Sequence, residues 1–244
     1  MKIVATVEAR MDSSRLPGKI LKDILGKPSL ARLVERVKQS KLIQEIIVAT
    51  TTAPNDEMTV EACRRIGVKT FRGSSEDVLD RVLKAAKANQ ADLIVELTGD
   101  CPLLDPEIID SVIQHYLDNS YDYVSNTLER TFPRGMDTQV FSVKVLDQVS
   151  RLTQDPADHE HVSLYIYEHP ERYRLGNVPA PPDLRRPELR LTVDTEDDLR
   201  LIREIYSRLY RQNPNFSLRD MIQLLDAKPE LKEINSQIKQ KAVR

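Results

Sequence analysis

Glycine is scarce in this chain of 244 residues, with seven in all and the first only at position 18. A dinucleotide-binding turn after the first strand needs glycines in quick succession, and here the second is Gly26, so that fingerprint is absent. The P-loop is absent too: the position five before Gly18 holds Ser13, and Ile20 follows Lys19 where Ser or Thr is required. Cys63 and Cys101 are the only cysteines, which suits free thiols in a reducing compartment better than a disulfide framework. No apolar run approaches the ~20 residues of a membrane span. Neither sign of charge dominates, the formal net charge being −2, so nothing favours nucleic acid or an anionic membrane. Met1 leads directly into an apolar run without the basic segment of a signal peptide, and the expectation is a cytoplasmic protein. No Ser-His-Asp order and no reactive-cysteine signature stands out.

What is present is an alternation of strand and helix patterns, the mark of βαβ units around a mainly parallel sheet. Strand-like runs lie near 2–7, 45–50, 68–71, 92–98 and 121–125, with a further strand near 138–142. Helical faces are marked by Leu30, Leu33, Val34 and Val37, by Val78, Leu79, Val82, Leu83 and Ala86, and by Ile108, Ile109, Val112, Ile113 and Tyr116. Two more helices are predicted near 143–153 and 157–168. Pro179, Pro181, Pro182 and Pro187 argue against a helix between 172 and 193 and for a loop or edge excursion before a strand at 189–193. A strong amphipathic helix follows, carrying Leu199, Ile202, Ile205, Tyr206 and Leu209. The expected layout is one domain over 1–226, with a small excursion around 126–190 serving acceptor binding or dimerisation. The tail 227–244 reads as a packed final helix or a frayed end.

Three groups of residues carry chemistry. The first is the loop after the opening strand, where Arg10, Arg15 and Lys19 flank Ser13 and Ser14. Ligands of open α/β sheets bind beyond the carboxyl ends of the strands, and three cations there can neutralise polyphosphate oxygens through charge-assisted hydrogen bonds. The serines and backbone N–H groups can add donors; the alternative is a solvated basic turn. The second is Thr98-Gly99-Asp100-Cys101-Pro102, with Asp100 where an apolar strand stops. The third is Thr192-Val193-Asp194-Thr195, where Asp194 ends a predicted strand or, with Thr195, caps the next helix. Two carboxylates at strand ends in one sheet can converge on a Mg²⁺, which uses one or two carboxylates, waters and substrate phosphates. His159 and His161 lack H-E-x-x-H spacing, Ser163 standing at the fourth position, and residues two apart do not face each other on a helix. His161 is read as a polar substrate contact or a buried hydrogen bond, and Asp137 as a ligand for sugar hydroxyls or a turn cap.

The run Ala9-Arg10-Met11-x-Ser13-Ser14-Arg15-Leu16-Pro17-Gly18-Lys19 resembles the nucleotide-binding signature of bacterial cytidylyltransferases. The branch it looks most like is the spore coat polysaccharide biosynthesis protein F-like group, related to the enzymes that activate Kdo and sialic acids as CMP-sugars. Phe71-Arg72-Gly73, Asp77-Val78-Leu79-Asp80-Arg81, Thr98-Gly99-Asp100-Cys101-Pro102-Leu103, Ser125-Asn126-Thr127, Gly135-Met136-Asp137, Glu160-His161-Val162 and Thr192-Val193-Asp194 extend the likeness over roughly 3 to 210. The resemblance implies a three-layer α/β/α fold like that of nucleotide-diphospho-sugar transferases, often dimeric. It also implies reaction of CTP with a sugar, sugar acid or related small acceptor, for surface polysaccharide or glycan biosynthesis, with release of pyrophosphate.

By position, the resemblance gives Arg10, Ser14, Arg15 and Lys19 to the CTP phosphates and Asp100 and Asp194 to Mg²⁺. It places Asp77 and Arg81 beside the nucleotide, and Asp137 and His161 toward the acceptor. Lys19, Arg15, Asp100 and Asp194 then form the catalytic set, with Ser13 a further donor at the nucleotide. Three positions depart from the family pattern: Glu96 and His159 stand where Arg is usual, and Gln139 where Glu is usual. A less cationic acceptor side follows, and with it the expectation that the acceptor is not the nine-carbon acid of the sialate branch. The alternatives are a uridylyl- or guanylyltransferase, a glycosyltransferase of the same fold, or a non-catalytic nucleotide-binding protein. A glycosyltransferase typically carries D-x-D, and Asp100-Cys101-Pro102 does not supply it.

Overall fold

The structure is a computed structural model and describes residues 1–240. The apolar runs become strands β1 (Ile3–Glu8), β2 (Glu45–Thr51), β3 (Lys69–Gly73), β4 (Leu93–Thr98), β5 (Tyr123–Ser125), β6 (Gln139–Ser142) and β7 (Leu175–Asn177) of one sheet, ordered β3-β2-β1-β4-β6-β5-β7. Only β6 runs against the others. The short edge strand β7 has no counterpart among the predicted strands. A two-residue hairpin, 23–24 paired with 27–28, lies apart from the sheet.

Helices cover both faces, so the expected α/β architecture with a mainly parallel sheet and three layers holds. One face buries Ile3, Ala5, Val7, Val95 and Leu97 against α1 (Ser29–Val37), α2 (Glu57–Ile66) and α4 (Pro106–Asp118). The other buries Val4, Ile47 and Ile94 against α3 (Val78–Ala88), α5 (Val143–Leu152) and α7 (Leu164–Glu168). Alternation along each strand produces this division, because successive side chains point to opposite faces. Both cysteines are buried free thiols, and burial pushes Cys63 up to about 12.

A third core lies beyond the sheet. There α8 (Glu196–Leu209) and α9 (Leu218–Ala227) pack on Leu189, Leu191, Val193, Phe132 and Met136. This core corrects the strand predicted at 189–193. The segment is extended but forms one isolated bridge, Arg134 with Arg190, rather than a ladder. Its alternating apolar residues are buried by helices, and helix burial leaves the same two-residue pattern as a sheet face. The helix predicted over 157–168 is likewise two short helices, α6 (Pro156–Glu160) and α7, separated by His161–Ser163. Of the tail from 227, residues 229–234 form a 3₁₀ turn with Leu231 buried in the third core; 241–244 lie outside the described residues.

Candidate active site

The loop after β1 is held from both ends. Gly18 donates its N–H to the Met11 carbonyl at 2.9 Å, and Met11 donates its own to Asp56 at 2.7 Å. Leu16, buried in the third core, pins the middle. Arg10, Ser13, Ser14, Arg15 and Lys19 are left lining one cleft at the carboxyl ends of β1 and β4. Gly99 lets the β4 turn close against this loop: its N–H donates to the Glu8 carbonyl at 2.8 Å, and a Cβ there would stand 2.7 Å from that oxygen.

Asp100 and Asp194 meet in the same cleft. Asp194 does not end a strand. It arrives because the Val193 N–H donates to the Asp100 carbonyl at 2.8 Å and Leu191 donates to Arg134 at 2.8 Å. Gly135 permits that approach, with φ +97° and room for no Cβ, which would fall 2.3 Å from the Leu191 oxygen. The N-cap of α8 is Thr195, in a capping box with Asp198, so Asp194 keeps its carboxylate for the cleft.

Lys19 Nζ sits between the two carboxylates, 2.6 Å from Asp100 and 2.8 Å from Asp194. Burial opposes a charge on this amine, but the two carboxylates outweigh it and hold Lys19 above its ordinary value. Burial likewise works against ionised Asp194, and Lys19, Arg15 and Arg190 together bring its carboxyl below the usual range. Arg15 approaches Asp194 at 2.9 Å. Arg190 reaches Asp194 with one guanidinium nitrogen and Asp198 with another, the latter at 2.9 Å. Two carboxylates that converge on an ammonium fit a hard divalent cation. Among the described residues no cluster of three or more His, Cys, Asp and Glu side chains assembles. The other ligands of such an ion would be water and phosphate oxygens, the usual arrangement for Mg²⁺.

The remaining expected residues divide. Arg81 and His161 line this cleft. Asp77 does not; it caps α3 through Asp80 at 2.8 Å and pairs with His159 at 2.8 Å. Asp137 lines a second cleft, with His161 shared between the two. There Arg130 grips Asp137 with two hydrogen bonds of 2.7 and 2.8 Å. Sequence reasoning did not single out Glu8 or Arg190. A charged residue closing an apolar strand was the available signal for Glu8; Arg190 had none, since its role arises only when the 189–193 segment docks.

The chain matches the Cytidylyltransferase family over residues 4–242. It belongs to that family. The cytidylyltransferase is 36% identical over 233 residues to the spore coat polysaccharide biosynthesis protein SpsF of Bacillus subtilis, covering 93% of this chain and 95% of that one. It is 32% identical over 194 residues to the 3-deoxy-manno-octulosonate cytidylyltransferase of Geobacter metallireducens, covering 68% and 75%. Among solved structures, a cytidylyltransferase from Leptospira borgpetersenii superposes with a TM-score of 0.91 at 33% identity, over 99% of this chain and 100% of that one. The cytidylyltransferase reading replaces the glycosyltransferase and non-catalytic alternatives. The spore-coat-like branch, related to the Kdo-activating enzymes, is the one the relatives support.

Proposed function

We propose that this cytidylyltransferase couples CTP to a sugar-like acceptor in a Mg²⁺-dependent reaction that releases pyrophosphate, for surface polysaccharide or glycan assembly. The observation that carries the reading is the position of the Lys19 ammonium between Asp100 and Asp194 inside a cleft ringed by Arg10 and Arg15. Such a cleft offers paired carboxylates to a cation and guanidinium groups to phosphates.

Arg10, Ser13, Ser14, Arg15 and Lys19 hold the triphosphate, and Arg81 borders the nucleotide. Asp77 acts through its cap on α3, the helix that carries Arg81. Asp137 and His161 face the acceptor across the second cleft. The acceptor hydroxyl attacks the α-phosphorus in line, its oxygen–phosphorus bond forming as the bond to pyrophosphate breaks and its proton passing to solvent or to the released pyrophosphate. No covalent enzyme intermediate is required, so these residues work by positioning and by neutralising charge. Lys19 and Arg15 offset the charge growing on the departing pyrophosphate. When bound at Asp100 and Asp194, Mg²⁺ supplies Lewis-acid polarisation of phosphoryl oxygens.

The test is a pyrophosphate-release screen of four nucleotides against sugars, sugar acids and phosphorylated small acids. Release with CTP and a sugar-like acceptor is expected. Release with UTP and none with CTP across the panel would overturn the choice of nucleotide.

A further inference from the structure

Two glutamates end up on one face of the sheet at its functional edge. In the β1–β4 register Thr6 pairs with Glu96 and Glu8 with Thr98, so Glu8 and Glu96 are diagonal neighbours whose side chains point the same way. Their carboxyls are close enough to act on each other. Glu96 is only 5% exposed, yet its Oε2 has no hydrogen-bond partner, and neither has Oε1 of Glu8. Both residues line the second cleft. Glu8 also lines the first, together with Thr98 and His161, so a group held at Glu8 lies where the two clefts open into each other.

The charges around this pair are unequal. Arg81 and, more weakly, Arg10 act on Glu8. Among the described residues the influence that favours ionised Glu96 is the Ser163 hydroxyl, not a cation. Arg130, which also lines the second cleft, is already taken by Asp137. Fully ionised, the two carboxylates would share one buried countercharge, Arg81, so a retained proton holds the place of a second positive group while no cation is bound. Burial raises both carboxyls, Glu8 to about 7 and Glu96 well above its ordinary value, since an unpaired buried charge is costly.

We propose that the second cleft takes the acceptor and that Glu8 and Glu96 dock a protonated amino group on it, which makes the acceptor an amino sugar rather than a sugar acid. The assignment of this cleft to an acceptor rests on the cytidylyltransferase reading above. An ammonium brings the missing charge and three donors, enough to satisfy both orphan oxygens with charge-assisted bonds. A hydroxyl offers one donor and no charge. A carboxylate at neutral pH offers neither, and its place in this cleft would be at Arg134.

The test is calorimetric titration of the full chain, with and without a non-hydrolysable CTP analogue, using glucosamine, glucose and glucuronate as probes. Glucosamine is expected to bind at least about tenfold tighter than either of the others, as loss of one charge-assisted contact implies. Glu96→Gln, which keeps size and hydrogen bonding but not charge, should erase that preference, and Glu96→Asp should restore part of it. Circular dichroism of each variant confirms that the fold is kept; Glu8→Gln gives a second reading if one variant fails to fold. Equal binding of the three probes, no binding by any, or preference for glucuronate overturns the proposal. Affinity for the CTP analogue is read in the same titrations. A chain that binds it without preferring glucosamine loses the amine assignment alone. One that prefers glucosamine without binding it keeps the amine site and loses the nucleotide reading.

Discussion

Val193 donates its backbone N–H to the carbonyl oxygen of Asp100 across 2.8 Å. That bond ties a segment 93 residues further along the chain to the turn after β4, and it sets Asp194 opposite Asp100. The two carboxylates are thus aligned by main chain, which leaves their side chains to respond to whatever cation enters. In this structure that cation is Lys19, and the following expectations turn on it and on the backbone that assembles its partners.

Lys19→Ala removes the ammonium that satisfies both carboxylates. Without nucleotide, the variant should bind Mn²⁺ or Mg²⁺ more tightly than the parent, because the ion no longer displaces an internal competitor. Turnover should nonetheless fall by about 10²–10³-fold, the usual cost of removing one preorganised charge at a developing anion. Isothermal titration with metal alone, beside pyrophosphate release, separates the two effects; unchanged metal affinity would show that Lys19 does not occupy the ion's place.

Asp100→Asn keeps the shape of the turn and removes one of the two charges. Transition-state stabilisation should drop by about 3–4 kcal/mol, on the order of a lost electrostatic contact to the reacting group. Pyrophosphate release at near-parental rate in the variant would remove Asp100 from the metal-binding role.

Gly135→Ala places a Cβ against the Leu191 carbonyl at a residue with φ +97°. The strain should cost about 1–3 kcal/mol of stability in urea denaturation, and part of it should be relieved by pulling the 189–193 segment off Arg134. Metal affinity should then fall together with stability, because Asp194 moves with that segment. A loss of stability with metal binding intact would mean that Asp194 is held independently of Gly135.

The carboxyl pair at Glu8 and Glu96 predicts a pH dependence of stability. Unfolded, both side chains ionise near the ordinary 4.5, whereas folded Glu8 titrates at about 7 and burial holds Glu96 well above its ordinary value. Below about 4.5 both states hold these protons and there is no penalty. As pH rises from about 4.5 toward the folded values, the native state retains protons that the unfolded chain has released, and stability declines until those values are passed. Glu96→Gln should therefore show a Tm advantage over the parent that grows from about pH 5 to about pH 8. A difference in Tm that is flat across this range would refute the buried pair as its source.

The parallel strands and the cationic loop were legible because burial on both faces writes long apolar runs, and because Arg10, Arg15 and Lys19 lie within one turn. What could not be read was how Asp194 reaches the site. Leu189, Leu191 and Val193 alternate as a strand would, but alternation records which side chains are buried and not what buries them; here it is α8 and α9. The meeting of Glu8 with Glu96, the latter noted only as standing where Arg is usual, was illegible for a related reason. Each looks like the polar end of an apolar run, and only the register between β1 and β4 makes them neighbours.

Gln240 accepts a hydrogen bond from Arg190 at 2.6 Å, and Asn235 donates to both the Arg190 carbonyl and Asp198, at 3.0 and 2.8 Å. The last described residues are thereby fastened to the guanidinium that holds Asp194. Met1, by contrast, lies at the foot of β1, about 20 Å from the cleft at the rise of an extended strand. An affinity tag, a fluorophore or a surface tether attached at the carboxyl end therefore pulls on Asp194, the carboxylate proposed to meet the metal. The same attachment at the amino end leaves it undisturbed.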